Sequence, residues 1–417
     1  MLGIAVRIAQ RMGCHNEAEL AKCNPLEAEM RRRLWWALII YDARIGEMAD
    51  YKTVTLIPTW DCRVPLNVND SDFRSEMKEP PQVQGTSTEA IFAVVRSELA
   101  NYVRNTRFHL DFHSPALRPV AKDVSKGTTP EAGEIESLEK MIEDKYLRFC
   151  DPENPLHFMT IWTTRGYIAK CRFMEHLAAN SSSTFFSSSK PDMQRDSTFS
   201  YAITMLECDT KTMTSPLTQG FLWLAHIYFP FPAYNQILQT LKRRPVADQA
   251  EYAWEVMSEN FVARVQFLWG DEEKTGNPLG NNPFFRMFTG LILKAWEARE
   301  TAFKQMGDFA VTPTVVLLVR QKVAQVEQRN QGYIKGQQYD VTGMSINASV
   351  PAPMGPLYGF GGQDDYAMSA AYPAPSEMAT LDVDVNNIDW SAMNWDLENA
   401  PVGEGDSKDL SLHNLRY

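Results

Sequence analysis

A basic run flanked by acids and followed by two tryptophans constrains the fold of this chain more than any other feature. The run spans residues 27–36 and reads Glu-Ala-Glu-Met-Arg-Arg-Arg-Leu-Trp-Trp. Asn24 is a suitable helix N-cap and Pro25 suits the first helical position, so we expect a helix to begin at Pro25. Apolar residues recur downstream at helical spacing, and Trp35 and Trp36 widen their face, which indicates a mostly buried helix.

The three arginines of this run can mark a nucleic-acid contact or a localisation signal, but the pattern favours a structural role. Two acid–arginine pairs are spaced four residues apart: Glu27 with Arg31, and Glu29 with Arg33. Pairs at this spacing lie on one helix face and neutralise each other. Arg32 lies one turn before Trp36, on whose ring it can stack. Asp42, further along the same helix, is predicted to pair with an arginine because a buried acid needs a counterion.

A turn-rich segment at residues 57–72 follows, with prolines, asparagines and aspartates in close succession. Together with Gly13, Cys14 and His15, the two stretches resemble the fungal-specific transcription factor domain, the regulatory middle region of binuclear zinc-cluster regulators. The motif residues that carry the resemblance, to which we assign a structural role, are Glu29, Arg32, Arg33, Trp35, Trp36, Asp42, Pro65, Asn67 and Asp70. They lie within residues 1–75, and the helical remainder to about residue 329 fits the family in general character.

The resemblance implies a domain that controls transcription, in some members through dimerisation or a response to a small molecule. It also implies that DNA is contacted by a zinc cluster, which the six cysteines at positions 14, 23, 62, 150, 171 and 208 are too dispersed to form. We therefore expect reduced thiols and no cofactor in this chain, with zinc only in a cluster encoded outside it. The apolar helical stripe from Leu2 starts without a capping residue, which suggests a truncated gene model; the alternative is that a partner supplies the DNA contact.

The charge distribution argues against direct DNA binding by the helical region. The net charge is -11, but residues 330–417 contain twelve acids and three bases, which leaves 40 acids and 38 bases in residues 1–329. A DNA-binding domain usually has a basic surface, so contact with DNA is expected to be indirect or through the missing module. Arg7 interrupts the first apolar run, and no later stretch has the length of a membrane span, so no membrane association is predicted.

The pattern along the chain predicts an all-α, multi-helix regulatory domain over residues 1–329 with a disordered acidic tail over residues 330–417. Strand alternation is nowhere sustained. Helices are predicted around residues 91–103, 135–149, 158–177, 199–213, 221–241 with a bend at its prolines, 252–269, 284–303 and 315–328. The serine-rich stretch 180–189 is predicted to be a flexible surface loop.

A candidate activation segment lies within the tail at residues 381–398, where acids alternate with large apolar side chains. Its key residues are Asp389, Trp390, Met393, Trp395 and Leu397. Trp390, Met393 and Leu397 are one helical turn apart, so they could dock into a hydrophobic groove of a coactivator or of the transcription machinery upon folding. The alternative is a solubilising tail, but two tryptophans favour activation.

Enzymatic interpretations are weaker. His109, Asp111 and His113 resemble a metal-binding set, but they lack the glutamate of a zincin motif and lie near a predicted helix end, which favours a solvated or capping role. Two groups of oxygen-bearing side chains are poorly placed to hold magnesium. Asn69, Asp70 and Asp72 lie in a turn, and Asp364 and Asp365 lie in the tail. We therefore predict that the chain is not an enzyme; the alternative is a helical enzyme or a small-molecule-binding protein with a tryptophan-lined pocket.

The functional prediction is a fungal transcriptional regulator that acts in the nucleus and activates through its acidic tail. Resemblance to the family suggests control of a secondary-metabolite gene cluster. The sequence does not decide between a monomer and a homodimer. Lys242, Arg243 and Arg244 precede Pro245 at a predicted helix end, where cations complement the helix dipole. A minimal nuclear import signal is the alternative role for these three residues.

Overall fold

The computed structural model describes residues 1–48, 60–74, 76–83, 85–104, 108–110, 119–121, 134–182, 191–269 and 283–339. The candidate activation segment at 381–398, the acids Asp364 and Asp365, and two members of the possible metal set, Asp111 and His113, lie outside these residues. The predictions made for them stay predictions.

The N-terminal part consists of helices α1 (Leu2–Arg11), α2 (Glu17–Leu20) and α3 (Pro25–Met48). Helix α3 begins at Pro25 as predicted, and the N–H of Glu27 donates to Oδ1 of Asn24 at 2.9 Å, which confirms the N-cap. Chain reversal after α1 occurs at Gly13, whose φ of 74° lies in the left-handed region. A Cβ at this position would also lie 2.8 Å from Cβ of Glu19, so position 13 requires glycine for two independent reasons.

The remaining helices are α4 (Ile91–Arg104), α5 (Glu134–Lys145), α6 (Pro155–Ser182), α7 (Pro191–Thr214), α8 (Leu222–Ala225), α9 (Phe231–Arg243), α10 (Ala250–Trp269), α11 (Pro283–Met306) and α12 (Thr314–Tyr339). Short 3-10 turns occur at Asp70–Asp72, Leu147–Phe149, Pro216–Phe221 and His226–Tyr228. The all-α class predicted from helical spacing is confirmed. No helix among the described residues combines the length and the apolar character that crossing a bilayer demands.

Two short strands depart from the all-helical prediction. Strand β1 (Phe108–Leu110) pairs in antiparallel fashion with β2 (Pro119–Ala121), with Phe108 opposite Ala121. Strands of three residues are too short to produce a detectable alternation of apolar and polar positions, which is why the sequence did not indicate them. His109 therefore lies in a strand and not at a helix end, so the four-residue spacing to His113 does not describe one helical face.

Three predicted boundaries also differ. Helix α6 continues through Ser182 into the serine-rich stretch, and α12 continues to Tyr339, past its predicted end at residue 328, because an established helix adds residues more easily than it nucleates. The single bent helix predicted at 221–241 is instead a series of short turns and α8, followed by α9. The break lies at Pro230, whose ring and missing N–H are incompatible with a helix interior.

Helices α6 and α7 form a long antiparallel pair at the centre of the fold. The 28 residues of α6 correspond to a length of about 42 Å. Gly166 of α6 lies against Cys208 of α7, where an added Cβ would be 3.2 Å from the Cys208 Cβ, and the rings of His176 and Tyr201 lie 5.3 Å apart. The largest core joins α6 and α7 to α9, α10, α11 and α12, a second core joins α6 to α4 and α5, and a third lies among α1, α2 and α3.

Candidate functional site

The motif arginines of α3 are paired with carboxylates of the same domain. Arg32 donates from Nε and Nη2 to the two carboxylate oxygens of Glu17, at 2.9 and 2.7 Å. Arg33 donates from Nε to Glu29 at 3.1 Å and from Nη1 to Asp70 at 2.6 Å. The side chains of Arg32 and Arg33 are only 16% and 18% exposed, which favours the structural role predicted for them over a nucleic-acid contact.

The two glutamates bound by these arginines also hold the following segment against α3. Glu17 accepts the backbone N–H of Arg63 at 2.8 Å, and the fully buried Glu29 accepts that of Leu66 at 3.0 Å. Burial opposes ionisation of Glu17, but hydrogen bonds from Arg32 and the Arg63 N–H outweigh it and lower its pKa. Burial raises the pKa of Glu29, although Arg33 and the Leu66 N–H favour its charged form.

The two motif tryptophans of α3 pack against a third tryptophan, Trp60, from the segment that follows α3. Trp35 and Trp36 meet the ring of Trp60 edge-on, with centroid distances of 5.8 and 5.2 Å. Nε1 of Trp36 donates to the backbone carbonyl of Arg63 at 2.7 Å. The tryptophans therefore form the packed centre of the N-terminal core.

The remaining motif residues tie the same segment to the start of α4. Asn67 donates from its side-chain amide to the carbonyl of Thr86 at 2.8 Å and accepts the hydroxyl of Thr88 at 2.7 Å. The N–H of Asp70 donates to Glu89 at 3.2 Å, and Pro65 is buried. We call Glu17, Glu29, Arg32, Arg33, Asn67 and Asp70 the arginine clamp. Its contacts hold α2, α3, the segment after α3 and the residues before α4 together.

Asp42 lies apart from the arginine clamp, at a cavity. It is 6% exposed and lines a partly open cavity of about 220 Å³ bordered by α3, Trp60, α4, α6, α7 and the segment 224–232. Large aromatic side chains form much of the wall: Trp60, Phe92, Trp162, Tyr167, Tyr228 and Phe229. The tryptophan-lined pocket of the alternative hypothesis thus has a counterpart here, with two tryptophans.

An ion-pair network lies on the cavity wall. Glu47 accepts Nζ of Lys170 at 2.6 Å and Nη1 of Arg44 at 2.8 Å, and Nε of Arg44 donates to the carbonyl of Ile227 at 2.9 Å. Burial favours the neutral form of Glu47, but Lys170 and Arg44 outweigh it and lower its pKa to about 2. Glu47 is therefore a carboxylate at every physiological pH, and it holds both cations in place.

Arg96 occupies a different position on the same wall. Its Nη2 donates to the hydroxyl of Tyr228 at 2.6 Å, and its guanidinium lies 5.2 Å from the centroid of Phe92 and 5.5 Å from that of Tyr228. Within the described part of the chain, Arg96 makes no ion pair with a carboxylate. Burial raises the pKa of Tyr228, so its phenol stays neutral beside the cation.

Sequence reasoning did not single out the cations of the cavity wall. One signal was present, because Arg96 falls at helical spacing between the apolar residues Phe92 and Leu99 of α4. A basic residue on an apolar helix face needs a partner or a ligand. Lys170 and Glu47 are far apart in the sequence, so no local pattern could pair them.

None of the six cysteines takes part in a disulfide. All are free thiols, and burial raises the pKa of Cys62 and of Cys208 to about 12. Zinc binds thiolates, which such environments disfavour. Across the described ranges, no group of three or more His, Cys, Asp and Glu side chains is arranged to hold a metal ion.

The basic cluster Lys242, Arg243 and Arg244 lies at the C-terminal end of α9, where cations complement the helix dipole. Lys242 and Arg243 lie in the last turn of α9, and Arg244 is its C-cap. This arrangement accounts for the cluster structurally. A function in nuclear import stays a prediction.

Comparison with known proteins gives matches to regulators of transcription. Residues 1–112 match the model of the fungal specific transcription factor domain. The chain is 43% identical over 411 residues to transcriptional regulator AacuB of Aspergillus aculeatus, covering 94% of this chain and 54% of that protein. It is 41% identical over 414 residues to transcriptional regulator nsrM of Aspergillus novofumigatus, covering 95% of this chain and 53% of that protein.

A more distant relative is the aurofusarin cluster transcription factor aurR2 of Gibberella zeae, 26% identical over 399 residues that cover 92% of this chain and 56% of that protein. This chain thus spans about half the length of the curated relatives it matches. No solved structure matches it. All three relatives are named as regulators or factors of transcription. The chain therefore carries a fungal specific transcription factor domain at residues 1–112, within a sequence related along nearly its full length to fungal transcriptional regulators.

Proposed function

We propose that this chain is the regulatory and activating part of a nuclear transcription factor that controls a fungal secondary-metabolite gene cluster. The observation that carries the proposal is the similarity to transcriptional regulator AacuB across 94% of the chain. The name of aurR2, which refers to the aurofusarin cluster, supports the narrower assignment to a metabolite cluster. An enzymatic function has no support from these relatives.

The DNA contact is proposed to come from a zinc cluster outside these 417 residues, or from a partner protein. The arginines of residues 31–33 pair with carboxylates, since Arg31 binds Glu27 at 2.6 Å and the arginine clamp holds the other two. Residues 1–329 are nearly neutral, with 38 bases and 40 acids. Affinity for DNA depends on many phosphate contacts by unpaired cations, which such a surface supplies poorly.

Activation is proposed to depend on residues 381–398. The acids of this segment keep its large apolar side chains in solution, and Trp390, Met393 and Leu397 are spaced to form one face of a helix. A coactivator, or a subunit of the transcription machinery, with a hydrophobic groove would bind that face as the segment folds. Asp389 and Trp395 contribute charge and a second aromatic ring beside this face.

A reporter assay tests this part of the proposal. Residues 330–417 and residues 381–398 are each fused to a heterologous DNA-binding domain, and reporter transcription is measured. We expect activation by both, and a loss of most of it with Trp390→Ala and Leu397→Ala. A scrambled 381–398 segment is the matched control, because it keeps the composition but removes the helical spacing. Inactivity of both unmutated fusions would contradict the proposal.

The biological part of the proposal is tested in the native gene. Deletion of the codons for 381–398 should leave the protein present but lower the transcripts of the genes beside it. A fluorescent fusion is expected in the nucleus, and replacement of Lys242, Arg243 and Arg244 by glutamine tests whether they act as the import signal. Light scattering on the purified chain determines whether it is a homodimer.

A further inference from the structure

We propose that the cavity beside Arg96 binds a small, planar aromatic carboxylic acid. The carboxylate would pair with Arg96, and the ring would lie among the aromatic side chains of the wall. A regulatory role of this ligand rests on the proposed function, whereas its binding does not.

The size and the walls of the cavity define the shape of the occupant. A volume of about 220 Å³ is below the usual range of about 300–1,000 Å³ for pockets that hold drug-sized ligands. One ring or two fused rings therefore fit better than a larger molecule. Trp60, Trp162 and Phe92 provide flat apolar surfaces for stacking, and Leu99 and Met159 extend the apolar wall.

The charges of the cavity indicate an anionic occupant. Its described lining includes three cations, Arg44, Arg96 and Lys170, and three carboxylates, Asp42, Glu47 and Asp209. Asp209 is neutralised by the fully buried Arg264, whose Nε donates to it at 2.6 Å. Among the described lining residues, three cations then remain with two carboxylates, in a cavity with mostly apolar walls where an unpaired charge is costly.

Of the cations on the described wall of the cavity, Arg96 is the one that remains for a ligand. Arg44 and Lys170 both bind Glu47, at 2.8 and 2.6 Å, whereas Arg96 donates only to the neutral hydroxyl of Tyr228. A guanidinium presents paired N–H groups that match the two oxygens of a carboxylate. The flanking rings of Phe92 and Tyr228 hold it in one orientation, so little freedom is lost when a ligand binds. One available cation in the part of the lining that the structure describes favours a monoanion over a phosphate or a dicarboxylate.

The cavity also joins two parts of the fold. Ile40 and Ala43 of α3 and Phe92 of α4 belong to the matched domain at residues 1–112, whereas α6, α7 and segment 224–232 follow it in the chain. A ligand in contact with both parts would stabilise their packing by its binding free energy. This provides a physical route from ligand binding to regulation.

A matched pair of probes tests the charge requirement. Binding of 2-naphthoate and of its neutral analogue 2-naphthamide to the full purified chain is measured by calorimetry and by tryptophan fluorescence. We expect one naphthoate per chain, with naphthamide bound at least about tenfold more weakly, because charge-assisted hydrogen bonds are stronger than neutral ones. No naphthoate binding in the millimolar range, or equal affinity for the two probes, would overturn the proposal.

Two substitutions locate the site. Arg96→Gln should weaken naphthoate binding about tenfold or more and leave naphthamide binding nearly unchanged. Arg148→Gln is the control, because Arg148 also lies over an aromatic ring, that of Phe149 at 4.8 Å, but does not line the cavity. Unchanged naphthoate binding by Arg96→Gln, or equal losses in both variants, would overturn the assignment.

A cavity-filling variant keeps the test valid if Arg96→Gln does not fold. Ala43→Leu places three additional carbons at the cavity wall on a helix that tolerates leucine, so it should prevent binding of both probes. Retained binding would show that the probes bind elsewhere and would refute the site. None of these measurements depends on residues 381–398, so failure of this inference and failure of the activation proposal are distinguishable.

Discussion

Replacement of Glu47 by glutamine should destabilise the protein strongly at neutral pH. The carboxylate bridges Lys170 at 2.6 Å and Arg44 at 2.8 Å, and its pKa is lowered from 4.5 to about 2. Its side chain is 27% exposed, and those of Arg44 and Lys170 are 11% and 16% exposed, so solvent screens these interactions only partly. A shift of this size corresponds to about 3 kcal/mol of unfolding free energy.

The stabilisation by Glu47 should be present at neutral pH and lost in acid. Because the folded-state pKa of Glu47 lies below the unfolded value, its contribution is complete above about pH 4.5 and is lost as the pH falls towards about 2. Glutamine resembles the protonated acid in shape and charge. The variant should therefore be less stable by about 3 kcal/mol at pH 7, by about 2 kcal/mol at pH 3.5, and by little below pH 2.

Urea unfolding followed by tryptophan fluorescence measures these differences at pH 7, 5 and 3.5. The control is Glu19→Gln, since the pair of Glu19 with Lys22 has the same 2.6 Å distance but side chains that are 52% and 68% exposed. Such a surface pair contributes little, so this variant should stay close to the wild type at every pH. A cost below about 1 kcal/mol for Glu47→Gln at pH 7, or a cost that does not change with pH, would refute the reasoning.

Other substitutions test the packing of the fold. Arg264→Met should cost about 3–5 kcal/mol because it leaves the half-buried Asp209 without its cation, whereas adding Asp209→Leu should recover much of that loss. Equal costs in urea unfolding would contradict the role of the pair. Gly13→Ala should lower stability by about 2 kcal/mol, because the backbone at position 13 is left-handed and the added Cβ would contact Glu19. In thermal unfolding the control Gly3→Ala should be neutral or slightly stabilising, because a Cβ at position 3 would lie in open space. Trp36→Phe should cost about 2 kcal/mol, since the Arg63 carbonyl loses the indole N–H and keeps only the weak Cys62 thiol donor, and the core loses volume. A melting temperature equal to that of the wild type would argue against a contribution of the indole hydrogen bond.

The sequence by itself determined the features that depend on neighbours along the chain. Helical spacing predicted the all-α class, and Asn24 and Pro25 located the start of α3. The pair of Glu27 with Arg31 at 2.6 Å also follows from position alone. These predictions succeeded because residues four apart on a helix are neighbours whatever the rest of the chain does.

Contacts between distant parts of the chain were decided by the tertiary structure. Arg32 binds Glu17 and Arg33 binds Asp70, neither of which lies within a helical turn of its partner. The cavity depends likewise on which helices pack together. Glu47 and Lys170 are separated by 123 positions and come within hydrogen-bonding distance only because the fold brings α3 and α6 to the same cavity. Spacing along a helix states which face a residue occupies, but the partner opposite that face is set by packing of the whole core.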